Sequence, residues 1–306
     1  MRNATFTLGN TTHHVSANEN HGADSLHGGI VGYDQRNWTI VSHTTTTITF
    51  SLLDDAFEDY PGRVMNYATF TVSGGEAPSL TSRLVSIPLD ESTPLMLITH
   101  PYFNLDAFVN TTDPTILEHT LHMPYSDRYV EIDSIEVATG AIGSTTDTPL
   151  DFTSPSTLGS SIKAGVQQCG ADCIGIDTNF IIDRAFPASL ATGVYSPSAN
   201  NVPSTAPVLT ISSSRTGITM DVYTNQPALI VYTCNKLNGT IPLKASQQPS
   251  DGEKLFAQKH GCVAIETQGW IDGVNHPEWG QLGQQVYGSE TGVSEMWTRY
   301  VFGVGG

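Results

Sequence analysis

One property narrows the fold of this chain more than any other. No long segment repeats apolar residues with the 3.6-residue period of a helix, yet short β-branched runs recur almost from end to end. Segments 44–52, 68–73, 84–89, 95–99, 178–183, 208–212, 217–224, 228–234 and 262–268 are rich in Thr, Val, Ile and aromatic residues and read as strands. Gly, Pro, Asn and Asp punctuate them, as in Ser73-Gly74-Gly75 and Tyr195-Ser196-Pro197. The expected fold class is therefore all-β, a large antiparallel β-sandwich. A short helical turn is expected near 160–164. The Ser/Pro/Asn stretch 195–207 lies between strands and reads as a long hairpin loop, which leaves 1–306 as a single domain.

Charge limits the partners. Acidic residues outnumber basic ones 30 to 13, for a formal net charge of −17. That argues against nucleic acid, phosphorylated substrates and anionic membranes. No apolar run approaches the roughly 20 residues that a spanning helix needs, so no membrane is expected as a partner. Five sequons begin at Asn3, Asn10, Asn37, Asn110 and Asn238, which leans toward a secreted glycoprotein. The N-terminus, Met1-Arg2-Asn3-Ala4-Thr5-Phe6, has no apolar h-region, so either the protein is cytoplasmic or its true start lies upstream. Cys169 and Cys173 are spaced to close a small loop. Cys234 and Cys262 lie in two strand-like segments and can pair if those strands are neighbours. Buried free thiols are the alternative, and sequence does not choose among the pairings.

Four segments place polar, titratable residues where strands end. They are Asp24-Ser25-Leu26-His27-Gly28-Gly29, Thr99-His100-Pro101-Tyr102-Phe103-Asn104-Leu105, Gly175-Ile176-Asp177-Thr178-Asn179-Phe180 and Ala264-Ile265-Glu266-Thr267-Gln268. Strand alternation puts Glu266 and Gln268 on one face, with Val263 and Ile265 on the other. A carboxylate in the middle of an apolar strand needs a reason, because burying a charge is costly. An ion pair would supply one, but this chain has few Lys and Arg to offer. His13 with His14, His119 with His122, and His276 lack the Cys/His/Glu company of a zinc site, so no metal is expected.

Taken together, these segments resemble the aldose 1-epimerase (galactose mutarotase) family, and they occur in family order. Leu26-His27-Gly28-Gly29 with Gly32-Tyr33-Asp34 and Trp38 resembles its Leu-His-Gly-Gly block. His100-Pro101-Tyr102-Phe103-Asn104-Leu105 is similar to its His-Ser-Tyr-Phe-Asn-Leu. Thr139-Gly140 with Thr148-Pro149-Leu150-Asp151-Phe152, then Asp177-Thr178-Asn179-Phe180, then Met220-Asp221-Val222-Tyr223-Thr224 with Val231-Tyr232-Thr233 follow. Glu266-Thr267-Gln268 with Asn275-His276-Pro277 closes the series.

The resemblance implies the family's galactose mutarotase-like supersandwich, in its fungal-type secreted branch, and an activity on free hexoses that uses no cofactor. A base removes the proton of the anomeric hydroxyl while an acid protonates the ring oxygen; the open aldehyde rotates and recloses on the other face. By resemblance Glu266 is the base and His100 the acid. His27, Asp177 and Gln268 hold sugar hydroxyls. The expected states are Glu266 ionised and His100 able to donate. Tyr102, Phe103, Trp38, Trp270 and Trp279 are candidate surfaces for a pyranose face. The family's N-terminal strands, with an Asn and an Arg that bind sugar, precede the point where this chain begins, so a truncated start is expected. The competing reading is a catalytically weak or vestigial sugar-binding protein of the same fold. A third, a hexose 6-phosphate epimerase, would need a basic pocket that the charge disfavours. The oligomeric state is not legible.

Overall fold

The computed structural model describes residues 1–109, 112–184, 206–248, 252 and 254–305. Two sheets face each other. The larger has nine strands, in the spatial order Ser156–Thr157, His119–His122, Leu209–Ser213, Ile218–Thr224, Ser294–Val304, Ser79–Pro88, Arg63–Ser73, Thr47–Asp55 and Thr39–His43. The second, of seven strands, runs Ala138–Ser144, Arg128–Ile132, Gly175–Ile181, Ala228–Tyr232, Val263–Gln268 and Tyr102–Phe103, with Gln167–Gln168 alongside Gly175–Ile181. Pairing within both is antiparallel except for Gln167–Gln168, which joins its neighbour in parallel. The expected all-β sandwich is what forms. The single α-helix among the described residues is Leu158–Lys163, where a helical turn was anticipated; the Thr157 hydroxyl caps it by accepting from the Ser160 N–H at 3.3 Å.

Alternation within the strands builds the core. Ile176 and Phe180, Leu229 and Val231, and Val263 and Ile265 point inward from the seven-stranded sheet. They meet Leu121, Leu209, Ile211, Met220, Val222 and Tyr300 from the nine-stranded one. Each such side chain contributes about 1.5–3 kcal/mol when fully buried. The same alternation sends the intervening residues of the seven-stranded sheet to its other face, and there the chemistry is found.

Segment 95–99 is not a strand, contrary to expectation. Only Thr93–Pro94 pairs, with Val286–Tyr287. Beyond it the chain runs on as irregular backbone, tied by the Leu95 N–H to the Gln285 carbonyl at 2.7 Å. The loop anticipated at 195–207 falls almost wholly outside the described residues. All four cysteines pair, as Cys169–Cys173 and Cys234–Cys262.

Candidate active site

Register defines a grid of side chains on the outer face of the seven-stranded sheet. Asp177 stands opposite Tyr232, Tyr232 opposite Ala264, and Ala264 opposite Tyr102. The next row is Asn179, Ile230 and Glu266; the one after is Ile181, Ala228 and Gln268. Directly opposed residues on paired strands share a face. Asp177 from Gly175–Ile181, and Glu266 and Gln268 from Val263–Gln268, therefore look out on the same face, with Ala228–Tyr232 between the two strands.

His100 joins them from outside the sheet. It sits just before Tyr102–Phe103, on backbone that Pro101 keeps out of the ladder. Its Nε2 lies 3.2 Å from Glu266 Oε1. Tyr102 stacks on the imidazole at 4.7 Å between centroids, which fixes the ring from one side. His27 approaches edge-on, 5.9 Å from the His100 ring. Its loop is pinned at both ends. The Asn18 amide donates to the Leu26 and Gly29 carbonyls at 2.9 and 2.6 Å and accepts from the Leu26 N–H at 2.8 Å. Glu58 accepts from the Val31 N–H at 2.7 Å. Gly29 has φ +112°, and a Cβ there would lie 2.5 Å from Glu58 Oε2, so this position requires glycine.

Four of the five candidates thus converge on one open face. Gln268 shares the face but is only 3% exposed, and its Nε2 has no protein partner. Of the aromatic candidates, Tyr102 alone belongs to the site and is exposed, at 53%. Phe103, one residue on, turns into the core against Tyr300. Trp38 packs on Tyr33. Trp270 and Trp279 pack on each other, and His276 stacks on Trp279. His119 is spoken for by the main chain, its Nε2 accepting from the Leu105 N–H at 2.9 Å. Among the described residues no three His, Cys, Asp or Glu side chains gather as a metal site.

Burial sets the protonation of the Glu266–His100 pair, and differently from the expectation of an ionised Glu266. The Glu266 and His100 side chains are 6% and 28% exposed. Burial, reinforced by the charge of Asp177, pushes Glu266 up to about 8. His100 moves down from its ordinary value, through burial and then the neighbouring His27. Both environments favour the neutral form, because a charged group loses its hydration in such a site. At neutral pH the contact is a carboxylic acid against an imidazole. Moving one proton across 3.2 Å converts it to carboxylate and imidazolium without changing the proton count of the pair.

Sequence reasoning missed three residues around Asp177. Tyr232 is its cross-strand neighbour. Burial raises the Asp177 pKa first, and Glu136, from the turn before Ala138–Ser144, raises it further through its negative charge. Lys236 forms an ion pair with Glu136 at 2.6 Å. Alternation along 228–234 could have found Tyr232. Turn residues distant in sequence carry no such signal.

The profile of the family described as aldose 1-epimerase matches residues 1–291. A probable aldose 1-epimerase of Arthroderma benhamiae is 44% identical over 321 residues, covering 99% of this chain and 71% of that relative. The galactose mutarotase of Mus musculus is 28% identical, covering 90% and 68%. The crystal structure of a GalM/aldose epimerase homologue from C. elegans superposes with a TM-score of 0.75 at 24% identity, over 100% of this chain and 80% of that one, and shares the fold. On the strength of the profile match and the fungal relative, the chain belongs to the aldose 1-epimerase family.

Proposed function

We propose that this chain interconverts the α and β anomers of free aldohexoses such as galactose and glucose by acid–base ring opening at Glu266 and His100. The observation that carries the reading is the 3.2 Å contact between these two groups on an open face shared with Asp177 and His27. In the opening direction the Glu266 carboxylate takes the proton from O1 and O1 becomes a carbonyl oxygen. The C1–O5 bond breaks, and O5 receives the proton of the His100 imidazolium. The pair ends as carboxylic acid and imidazole, the state that burial favours in the free protein. Rotation about C1–C2 and the reverse transfers close the ring on the other face. One proton resides on the pair throughout, so no net exchange with solvent is needed. His27 and Asp177 hold sugar hydroxyls, and Gln268 offers its unfilled Nε2 donor to the same shell. Polarimetry of anomerically pure α-galactose tests the reading. Mutarotation accelerated in proportion to protein concentration supports it; a sugar titration signal without acceleration would leave a binding protein.

Secretion as a glycoprotein is part of the same reading. Asn3, Asn10, Asn37 and Asn238 are exposed, while Asn110 lies outside the described residues. Two disulfides fit an oxidising compartment. A mobility shift on treating the eukaryotically expressed protein with an N-glycan-cleaving amidase supports this; an unshifted band counts against it.

A further inference from the structure

The outer face of the seven-stranded sheet is divided in two. The chain leaving Val263–Gln268 crosses that face instead of running away from it. Asn179, in the same row as Glu266, donates from Nδ2 to the Gly269 carbonyl at 3.4 Å and accepts the Ile271 N–H on Oδ1 at 3.2 Å. Asp272 then accepts from the Arg2 N–H at 3.2 Å. His276 closes on Ala138–Ser144, where a Cβ at Gly140 would lie 2.8 Å from the imidazole Cε1. Segment 269–276 is therefore a wall from the strand of Glu266 to the far edge of the sheet. Along Gly175–Ile181, Asp177 precedes the crossing and Ile181 follows it.

Beyond the wall lies a cleft of about 410 Å³, lined by Ile181, Arg128, Asp183, Trp270, Trp279 and Gln281 among others. Small-molecule sites span about 300–1,000 Å³. Arg128 stands opposite Ile181 in the ladder and so shares its face. Trp270 and Trp279 meet at 5.6 Å between ring centroids, tilted by 55°, and His276 stacks on Trp279 at 4.2 Å. Buried Gln285 holds this corner in place, donating from Nε2 to the Trp270 carbonyl at 2.8 Å. Arg128 forks onto Asp183, at 2.8 Å from Nε and 2.6 Å from Nη2, with its Cζ 5.8 Å from the Trp270 ring centroid. The two charges cancel inside the cleft. Two polar atoms are left over. Trp270 Nε1, on a residue only 8% exposed, and Gln281 Oε1 are both buried and have no partner among the described residues. A buried donor or acceptor is costly to leave unpaired, so each is a place for a ligand atom.

We infer that this cleft is a second carbohydrate-binding site, separate from the Glu266–His100 face, for one neutral hexopyranose unit. A pyranose carries apolar C–H groups on its faces, which pack on the electron-rich indole rings, and hydroxyls around its rim. A hydroxyl both accepts and donates, which suits the Trp270 Nε1 donor and the Gln281 Oε1 acceptor. Neighbouring hydroxyls meet the Arg128–Asp183 pair in the same way, as acceptors from the guanidinium and donors to the carboxylate. That pair leaves no net charge for an anionic ligand, and the formal charge of −17 on the chain repels one. No ring opening is involved, so a glycosidically linked sugar serves as well as a free one.

Nitrogen-15 NMR of the indole N–H groups tests the inference, with methyl β-galactopyranoside and methyl β-glucopyranoside as probes. The chain has four Trp. The Trp270 and Trp279 lines are assigned by their loss in Trp270→Phe and Trp279→Phe, and the Trp38 and Trp297 lines show that each variant is folded. At least one glycoside should shift both cleft lines saturably, with a millimolar Kd. Asp183→Asn, an exposed residue, should raise that Kd about tenfold by weakening a charge-assisted hydrogen bond. Gln281→Ala should raise it about fivefold through loss of a neutral one. Asp177→Asn, across the wall, should leave it within about twofold of wild type. Shifts that stay linear through about 100 mM of both glycosides would overturn the inference. So would a Kd unchanged in both Asp183→Asn and Gln281→Ala, or saturation abolished by Asp177→Asn. None of these readouts needs turnover, so they stand whatever polarimetry gives.

Discussion

Glu266 and His100 show how far a residue's chemistry is set by what surrounds it. With ordinary carboxyl and imidazole values, 4.5 and 6.5, the one-proton form of the pair would dominate only between those limits. Here the upper edge of that window rises from 6.5 to about 8, set by Glu266, and its lower edge is set by the lowered His100 value. The pH profile of kcat/KM for mutarotation should therefore be a bell whose alkaline limb falls near 8, with the apparent values belonging to the pair. A profile already declining above pH 6.5 would contradict the burial argument. His27, His100, Asp177 and Glu266 were legible in the sequence because each interrupts an apolar or glycine-rich run and each belongs to a motif in family order. Their charge states were not legible, since desolvation depends on neighbours that sequence does not place. Glu136 and Lys236 escaped notice for the same reason. Both act on Asp177 through their charges, Glu136 from the turn at 133–137 and Lys236 from the turn after Ala228–Tyr232, where the two form an ion pair.

At the scale of elements, most long strands with alternating burial were readable, although the short alternating strand His119–His122 was not. Ser294–Val304 was missed although it is one of the longest strands. Met296, Trp297 and Thr298 are buried in succession, and Glu295 is buried against Arg83 at 2.5 Å, so the two-residue pattern is erased. Segment 95–99 failed in the opposite sense. Its apolar residues pack from irregular backbone, which leaves His100 free to reach across to Glu266 rather than point along a ladder. The disulfides were legible as spacings and not as pairs. Cys234–Cys262 joins the chain just beyond Ala228–Tyr232 to the start of Val263–Gln268, the strand bearing Glu266, and spans 28 residues. Replacing both cysteines with Ala should lower unfolding free energy by about 2–4 kcal/mol in urea titrations. Removing Cys169–Cys173, with a separation of only 4, should matter less. Equal losses for the two bridges would show that loop length does not govern their contribution.

For the whole molecule, the buried carboxyls tie stability to pH. Glu266 and Asp177 have folded values raised to about 8. A raised carboxyl contributes stability that is complete below its unfolded value and is lost as pH rises through its folded value. The histidines with lowered values, His100, His119 and His260, act in reverse, losing their contribution as pH falls below 6.5. Between about pH 6.5 and 8 the carboxyls govern, so Tm should fall across that interval, and Glu266→Gln should flatten the slope. A slope unchanged in Glu266→Gln would place that carboxyl outside the balance. Beneath this behaviour lies the central claim, that a sandwich face brings one acid–base pair to an anomeric centre. Polarimetric comparison of wild type and Glu266→Gln on α-galactose tests it most directly, with sugar binding followed in parallel. The amide keeps the shape and a hydrogen bond but cannot take the O1 proton. In Glu266→Gln kcat should fall by about 10²- to 10⁴-fold with galactose binding retained, and a loss of less than about threefold would remove Glu266 from the reaction.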